Sequence, residues 1–203
     1  MKTFKEANMK ATATVIAVAV AGLFSVAASA QTVGSEVQRD VNQQQRIEQG
    51  LKSGSLNTRE ASQLERGEAR IDRMESNAAK DGSLSPAEKA RIQRAQNQES
   101  RQINRLESNA AKGNPNSASS QRMQADVQRN VNQQQRIEQG VQSGQLTNRE
   151  AGKLERGQAK VNRAEARAGA DGHVGPKEQR GIQKAENRQS KRIYREKHDA
   201  QTR

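Results

Sequence analysis

The 203-residue sequence predicts an all-α protein, a tandem duplication of a three-helix unit (helix-turn-helix-turn-helix) behind a cleaved signal peptide. Three observations predict it. Residues 37–112 align without a gap on 127–202, about half the positions are identical, and Val41–Gly50 (VNQQQRIEQG) returns letter for letter as Val131–Gly140. Apolar residues recur at spacings of three and four between helix start and stop signals. Ala, Glu, Gln, Arg and Lys, all strong helix formers, fill the positions between them.

Taken in order, residues 1–30 read as the signal peptide. Lys2, Lys5 and Lys10 form a positive start, Ala11 to Ala27 is uncharged and mostly apolar, and Ala28-Ser29-Ala30 offers a small-residue cleavage pattern. The run is short and alanine-rich for a retained span, and no Cys follows it to carry a lipid. The expected address is periplasmic or secreted, with no transmembrane segment left after cleavage. Repeat unit 1 then occupies 31–112, a linker rich in Gly, Pro, Asn and Ser occupies 113–120, and repeat unit 2 occupies 121–203.

Each unit parses into three helices. In unit 1 the first covers roughly 35–52, with Val37, Val41, Ile47 and Leu51 on a broad face and Ser53-Gly54 as its stop. The second starts at Asn57, with Glu60 placed to complete a capping box. Its seam of Leu64, Gly67, Ile71, Met74 and Ala78 is spaced as a heptad, and Asp81-Gly82 ends it. The third opens with Ser85 as cap, Pro86 at the first helical position and Glu88 three past the cap. Unit 2 repeats these signals as Thr147/Glu150 and Gly175-Pro176/Glu178. Large apolar side chains are few, so each slender unit is expected to be marginal alone and to tighten by pairing with the other or with a partner.

Composition removes several functions. There is no Cys and no Trp, and Tyr194 is the one aromatic of the Phe/Trp/Tyr set beyond residue 30. A disulfide scaffold, a zinc-thiolate site and a cysteine nucleophile are excluded. The mean hydropathy is −1.10 and the formal charge +12; losing Lys2, Lys5, Lys10 and Glu6 takes two from it, leaving +10. Such a balance favours acidic partners and discourages self-association, leaving at most weak association.

The turns share the form Gly-x-apolar-x-x-x-Glu: Gly54-Ser55-Leu56 with Glu60, Gly82-Ser83-Leu84 with Glu88, Gly144-Gln145-Leu146 with Glu150, and Gly172-His173-Val174 with Glu178. This resembles the second half of an EF-hand loop, and the whole is similar to degenerate EF-hand-like helix-loop-helix repeats in small uncharacterised secreted proteins of Gram-negative bacteria. The resemblance implies calcium as the one cofactor to consider, held best by Asn77, Asp81 and Glu88 at positions 1, 5 and 12 of the loop. Arg167 replaces Asn77 in the corresponding loop of unit 2, where the ion would sit. The competing reading of every such turn is a helix C-cap glycine followed by a capping box.

The third helices carry basic stripes: Arg91, Arg94, Arg101 and Arg105, then Lys184, Arg188, Lys191 and Arg195. Residues 176–203 hold nine Lys and Arg against four Asp and Glu. One reading is a face for an acidic protein, an envelope polyanion such as lipopolysaccharide, or an unfolded client; the other is a solvated face laced with i,i+4 pairs to Glu99, Glu186 and Glu196. Nucleic acid is the least favoured anion, for lack of aromatics to stack bases. His173 and His198 are not duplicated and have no nucleophile or second ligand at a useful spacing. Carboxylates are plentiful and are expected on polar helix faces, without an apolar pocket to raise a pKa. No catalytic residue is expected. The function expected is binding, non-enzymatic, through basic helix faces, with calcium binding by the EF-hand-like loops as the alternative.

Overall fold

A computed structural model describes residues 33–199, and the signal peptide read at 1–30 lies outside them. The described chain is a bundle of six α-helices: α1 Gly34–Ser53, α2 Thr58–Ala78, α3 Pro86–Ser108, α4 Ala118–Gln142, α5 Asn148–Ala168 and α6 Pro176–Lys197. A single 3-10 turn, Ala79–Asp81, extends α2.

The expected start signals are where the helices begin. Asn57 caps α2 and Ser85 caps α3; the Glu60 and Glu88 side chains reach back to the cap N–H groups at 3.0 Å in both cases. Thr147 and Glu150 do the same for α5. Gly175 has no side chain to offer, so at α6 only the return bond exists, from Gly175 N–H to Glu178 at 2.8 Å. Gly54, Gly82, Gly144 and Gly172 are the only described residues with positive φ, each turning the chain after a helix in a conformation that costs a side chain strain.

The principal packing runs between the two halves of the chain: α2 lies along α5 and α1 along α4. Both pairs are antiparallel, because the N-terminal half of each helix meets the C-terminal half of its partner. One apolar core joins Val37, Ala78, Leu84 and Ile92 to Ile137, Val141, Leu154 and Ile193. The other joins Ile47, Leu51, Leu64 and Ile103 to Met123, Val127, Val174 and Ile182. Each core thus draws side chains from residues before and after the 113–120 segment, which answers the shortage of apolar surface in either half alone. Small residues allow the close approach: a Cβ added at Gly152 would stand 2.7 Å from Ala79 Cβ, and one at Gly169 would stand 2.9 Å from Ser62 Cβ.

Between the cores the bundle has a polar waist. Along α2, Leu64 belongs to one core and Ala78 to the other, and Glu65, Glu68, Asp72 and Glu75 between them are all 0 % exposed. Along α5 the waist residues are Glu155, Gln158, Asn162 and Glu165, also fully buried; α1 adds Asp40 and Gln44, and α4 adds Asn130 and Gln134. Carboxylates were expected on solvated faces. Instead α2 has two buried faces, the heptad seam and an acidic stripe with the same spacing of three, four and three, because α5 covers the side that a lone three-helix unit would leave open.

Candidate functional site

The eight basic residues expected to meet a partner are all exposed: Arg91, Arg94, Arg101 and Arg105 on α3, and Lys184, Arg188, Lys191 and Arg195 on α6. Among the described residues none of the eight is in an ion pair. The expected i,i+4 partners point elsewhere. Glu186 is buried with Arg129 of α4 at 3.2 Å, Glu196 lies 3.9 Å from Lys153 of α5, and the Glu99 carboxylate packs over Gly67. The stripes are therefore not self-neutralised along their own helices.

On α6 the stripe becomes a groove. Arg188, Lys191 and Arg195 line a depression of about 650 Å³ together with Arg136 of α4, Arg192, Ser190 and Tyr194. Tyr194, 59 % exposed, is the one large apolar side chain in solvent among the described residues, and it stacks on His198 with ring centroids 4.2 Å apart. Lys184 and the α3 arginines lie outside this groove. An aromatic ring amid guanidinium groups offers a flat apolar contact surrounded by donors for carboxylate, sulfate or phosphate oxygens.

A second basic groove, of about 570 Å³, was not singled out from the sequence. It lies where α2 crosses α5, lined by Arg73, Ser76, Asn77, Arg156, Lys160, Arg163 and Arg167. Arg163 is driven below the usual arginine range by burial, then by the like charges of Arg73 and Arg167. The signal was present, since Arg156, Lys160, Arg163 and Arg167 follow helical spacing. Only the packing of α5 on α2 brings Arg73 beside them.

The loop residues considered for calcium have other work. Asp81 accepts from the Ser83 backbone N–H at 2.9 Å, and Glu88 accepts from the Ser85 N–H at 3.0 Å and hydroxyl at 2.6 Å. Asn77 lies in the walls of two surface grooves. His173 sits in the matching turn, its N–H donated to Asp171 at 2.8 Å, and His198 is an exposed cap residue.

The waist is the largest departure from expectation. Burial pushes the Asp40 carboxyl up to about 7 and those of Glu65 and Glu155 up to about 8. Burial also lifts Glu68, Asp72, Glu75 and Glu165 well above the carboxylate range, with neighbouring carboxyls adding to it. No lysine or arginine is buried among them. Their donors are amides: Gln44 to Glu65 at 3.1 Å, Gln134 to Glu155 at 3.1 Å, Asn130 to Glu165 at 2.7 Å and Asn162 to Asp72 at 3.0 Å. Hydropathy ranks such residues as surface, and only the covering helix makes them interior.

Comparison with known proteins returns no matching family model, no matching curated protein and no matching solved structure. No described helix is long and apolar enough to cross a membrane.

Proposed function

We propose that the protein is an exported, non-enzymatic binding protein, a tandem duplication whose two three-helix copies clasp each other and present basic grooves to an acidic partner. The observation that carries this is the α6 groove. Arg136, Arg188, Lys191, Arg192 and Arg195 converge there around an exposed tyrosine, with no acidic side chain in the lining. Charge of one sign in a concave site raises the local concentration of oppositely charged ligand. The buried waist adds to this, because burial pushes its carboxyls up and so weakens their offset of the surface arginines. The partner class is an acidic protein segment or an envelope polyanion, and the tyrosine favours a ligand with some apolar surface of its own.

The test is titration of a fluorescent poly-glutamate peptide and of dextran sulfate into the purified protein at several salt concentrations. Binding should weaken steeply between low and physiological ionic strength. The triple substitution Arg188→Glu, Lys191→Glu and Arg195→Glu should reduce affinity for both probes by at least tenfold while the helical circular dichroism spectrum stays unchanged. Affinity indifferent to salt, or untouched by the triple substitution, would remove the α6 groove as the site.

A further inference from the structure

We propose that Asp40, Asp72, Glu75 and Glu155 form a buried binding site for one hard divalent cation of the calcium class, tying the two halves of the bundle together at the waist. The four come from α1, α2 and α5, all are fully buried, and one oxygen from each lies within 4.8 Å of the others. Oxygens around a calcium ion stand 2.3–2.6 Å from it, so ligands on opposite sides are about 5 Å apart, and this cluster fits inside that span. Only carboxylates are present, which suits a hard cation and not zinc or copper.

The surrounding amides act as an outer layer for such a site. Gln96 donates to Asp40 at 2.9 Å and to Glu75 at 3.1 Å, and Gln134 holds Glu155. Each of these three acids is thereby held by one oxygen, and its other oxygen, Asp40 Oδ2, Glu75 Oε2 or Glu155 Oε1, is buried without a donor. Metal sites are commonly oriented this way, with second-layer hydrogen bonds fixing the ligating carboxylates. The charge of Asp40 also pushes the Glu75 carboxyl up, a repulsion that a cation between them would relieve.

A separate observation points to a missing positive charge. Glu68, one turn before Asp72 on the same face of α2, is 0 % exposed, and neither of its carboxylate oxygens has a hydrogen-bond partner. After burial, the strongest influence raising its pKa is Asp40 of the cluster itself. The residues ninety positions on provide an internal control. Asp40, Glu68 and Asp72 correspond to Asn130, Gln158 and Asn162, and there Gln158 donates to Asn130 at 2.8 Å and to Asn162 at 3.1 Å, while Asn130 donates to Glu165 and Asn162 to Asp72. Gln158 thus joins its two neighbours, whereas Glu68 at the corresponding position accepts no hydrogen bond at either oxygen.

The experiment uses the purified chain unfolded in urea and refolded in either EDTA or calcium, since a site with no exposure loads as the protein folds. Equilibrium dialysis should find one calcium per chain, and the thermal midpoint should rise by several degrees over the EDTA sample. Asp40→Asn with Asp72→Asn copies residues the waist already contains; it should abolish the calcium shift and melt at or above the wild type in EDTA. Glu155→Gln is the single-substitution arm and should also abolish the shift. Glu88→Ala, in the exposed loop, should leave it intact. Absence of a calcium shift in the wild type, its survival in either waist variant, or its loss in Glu88→Ala would overturn the proposal.

Discussion

Glu68 and Gln158 are both fully buried in the waist, yet Glu68 accepts no hydrogen bond at either carboxylate oxygen and Gln158 donates two. A buried polar group without a partner costs about 1–3 kcal/mol, and more when it carries charge. Glu68→Gln should therefore stabilise the metal-free protein at pH 8 by about 1–3 kcal/mol, measured by urea unfolding in EDTA. The gain should shrink at pH 5, because burial holds the Glu68 carboxyl of the folded protein above its unfolded value and favours its neutral form as pH falls. Equal gains at both pH values would place the effect in packing and not in charge. The sequence shows Glu65, Glu68, Asp72 and Glu75 at a spacing as regular as that of the apolar seam, so the stripe was visible. Its burial was not, because hydropathy speaks for a residue and the covering surface belongs to a helix some ninety residues away.

At the scale of elements, the helices and their ends were legible because their causes are local. Asn57/Glu60, Ser85-Pro86/Glu88 and Thr147/Glu150 contain both halves of each cap within four residues. Helix pairing has no such local signature. The crossing of α2 and α5 depends on Gly152 meeting Ala79 and Gly169 meeting Ser62, contacts across the two halves that spacing within one helix cannot reveal. Gly152→Val should cost about 1–3 kcal/mol, the usual cost of overpacking, although valine exceeds glycine in helix propensity. Denaturant titration checks the sign. A stabilised Gly152→Val protein would mean that α2 and α5 separate easily and that the cores are not shared between the halves. The basic stripe on α6 shows the same division: Arg188, Lys191 and Arg195 could be read from α6 alone, whereas Arg136 joins them only through packing of α4.

At the scale of the whole molecule, the waist makes stability depend on pH in a direction opposite to ordinary acid denaturation. Asp40, Glu65 and Glu155 are raised to about 7, 8 and 8, and Glu68, Asp72, Glu75 and Glu165 are raised well above the usual range. Flanking cations enter only from the periphery: Arg39 lowers Asp40 and Arg163 lowers Asp72, in each case as the last of the contributions. In the unfolded chain these carboxyls titrate near 4, so between that pH and about 8 the folded state binds more protons than the unfolded one. Stability is then fullest below the unfolded pKa values and is lost as pH rises through the folded ones. The thermal midpoint in EDTA should fall steadily from pH 5 to pH 8, whereas a protein held by ion-paired surface carboxylates gains stability as pH rises from acid. Asp40→Asn with Asp72→Asn removes two of the titrating groups and should flatten that slope, and calcium should flatten it in the wild type by replacing protons at the upper end. A midpoint that rises between pH 5 and pH 8 would mean that the waist carboxyls are charged and compensated in the folded protein, which a layer whose only donors are amides cannot accomplish.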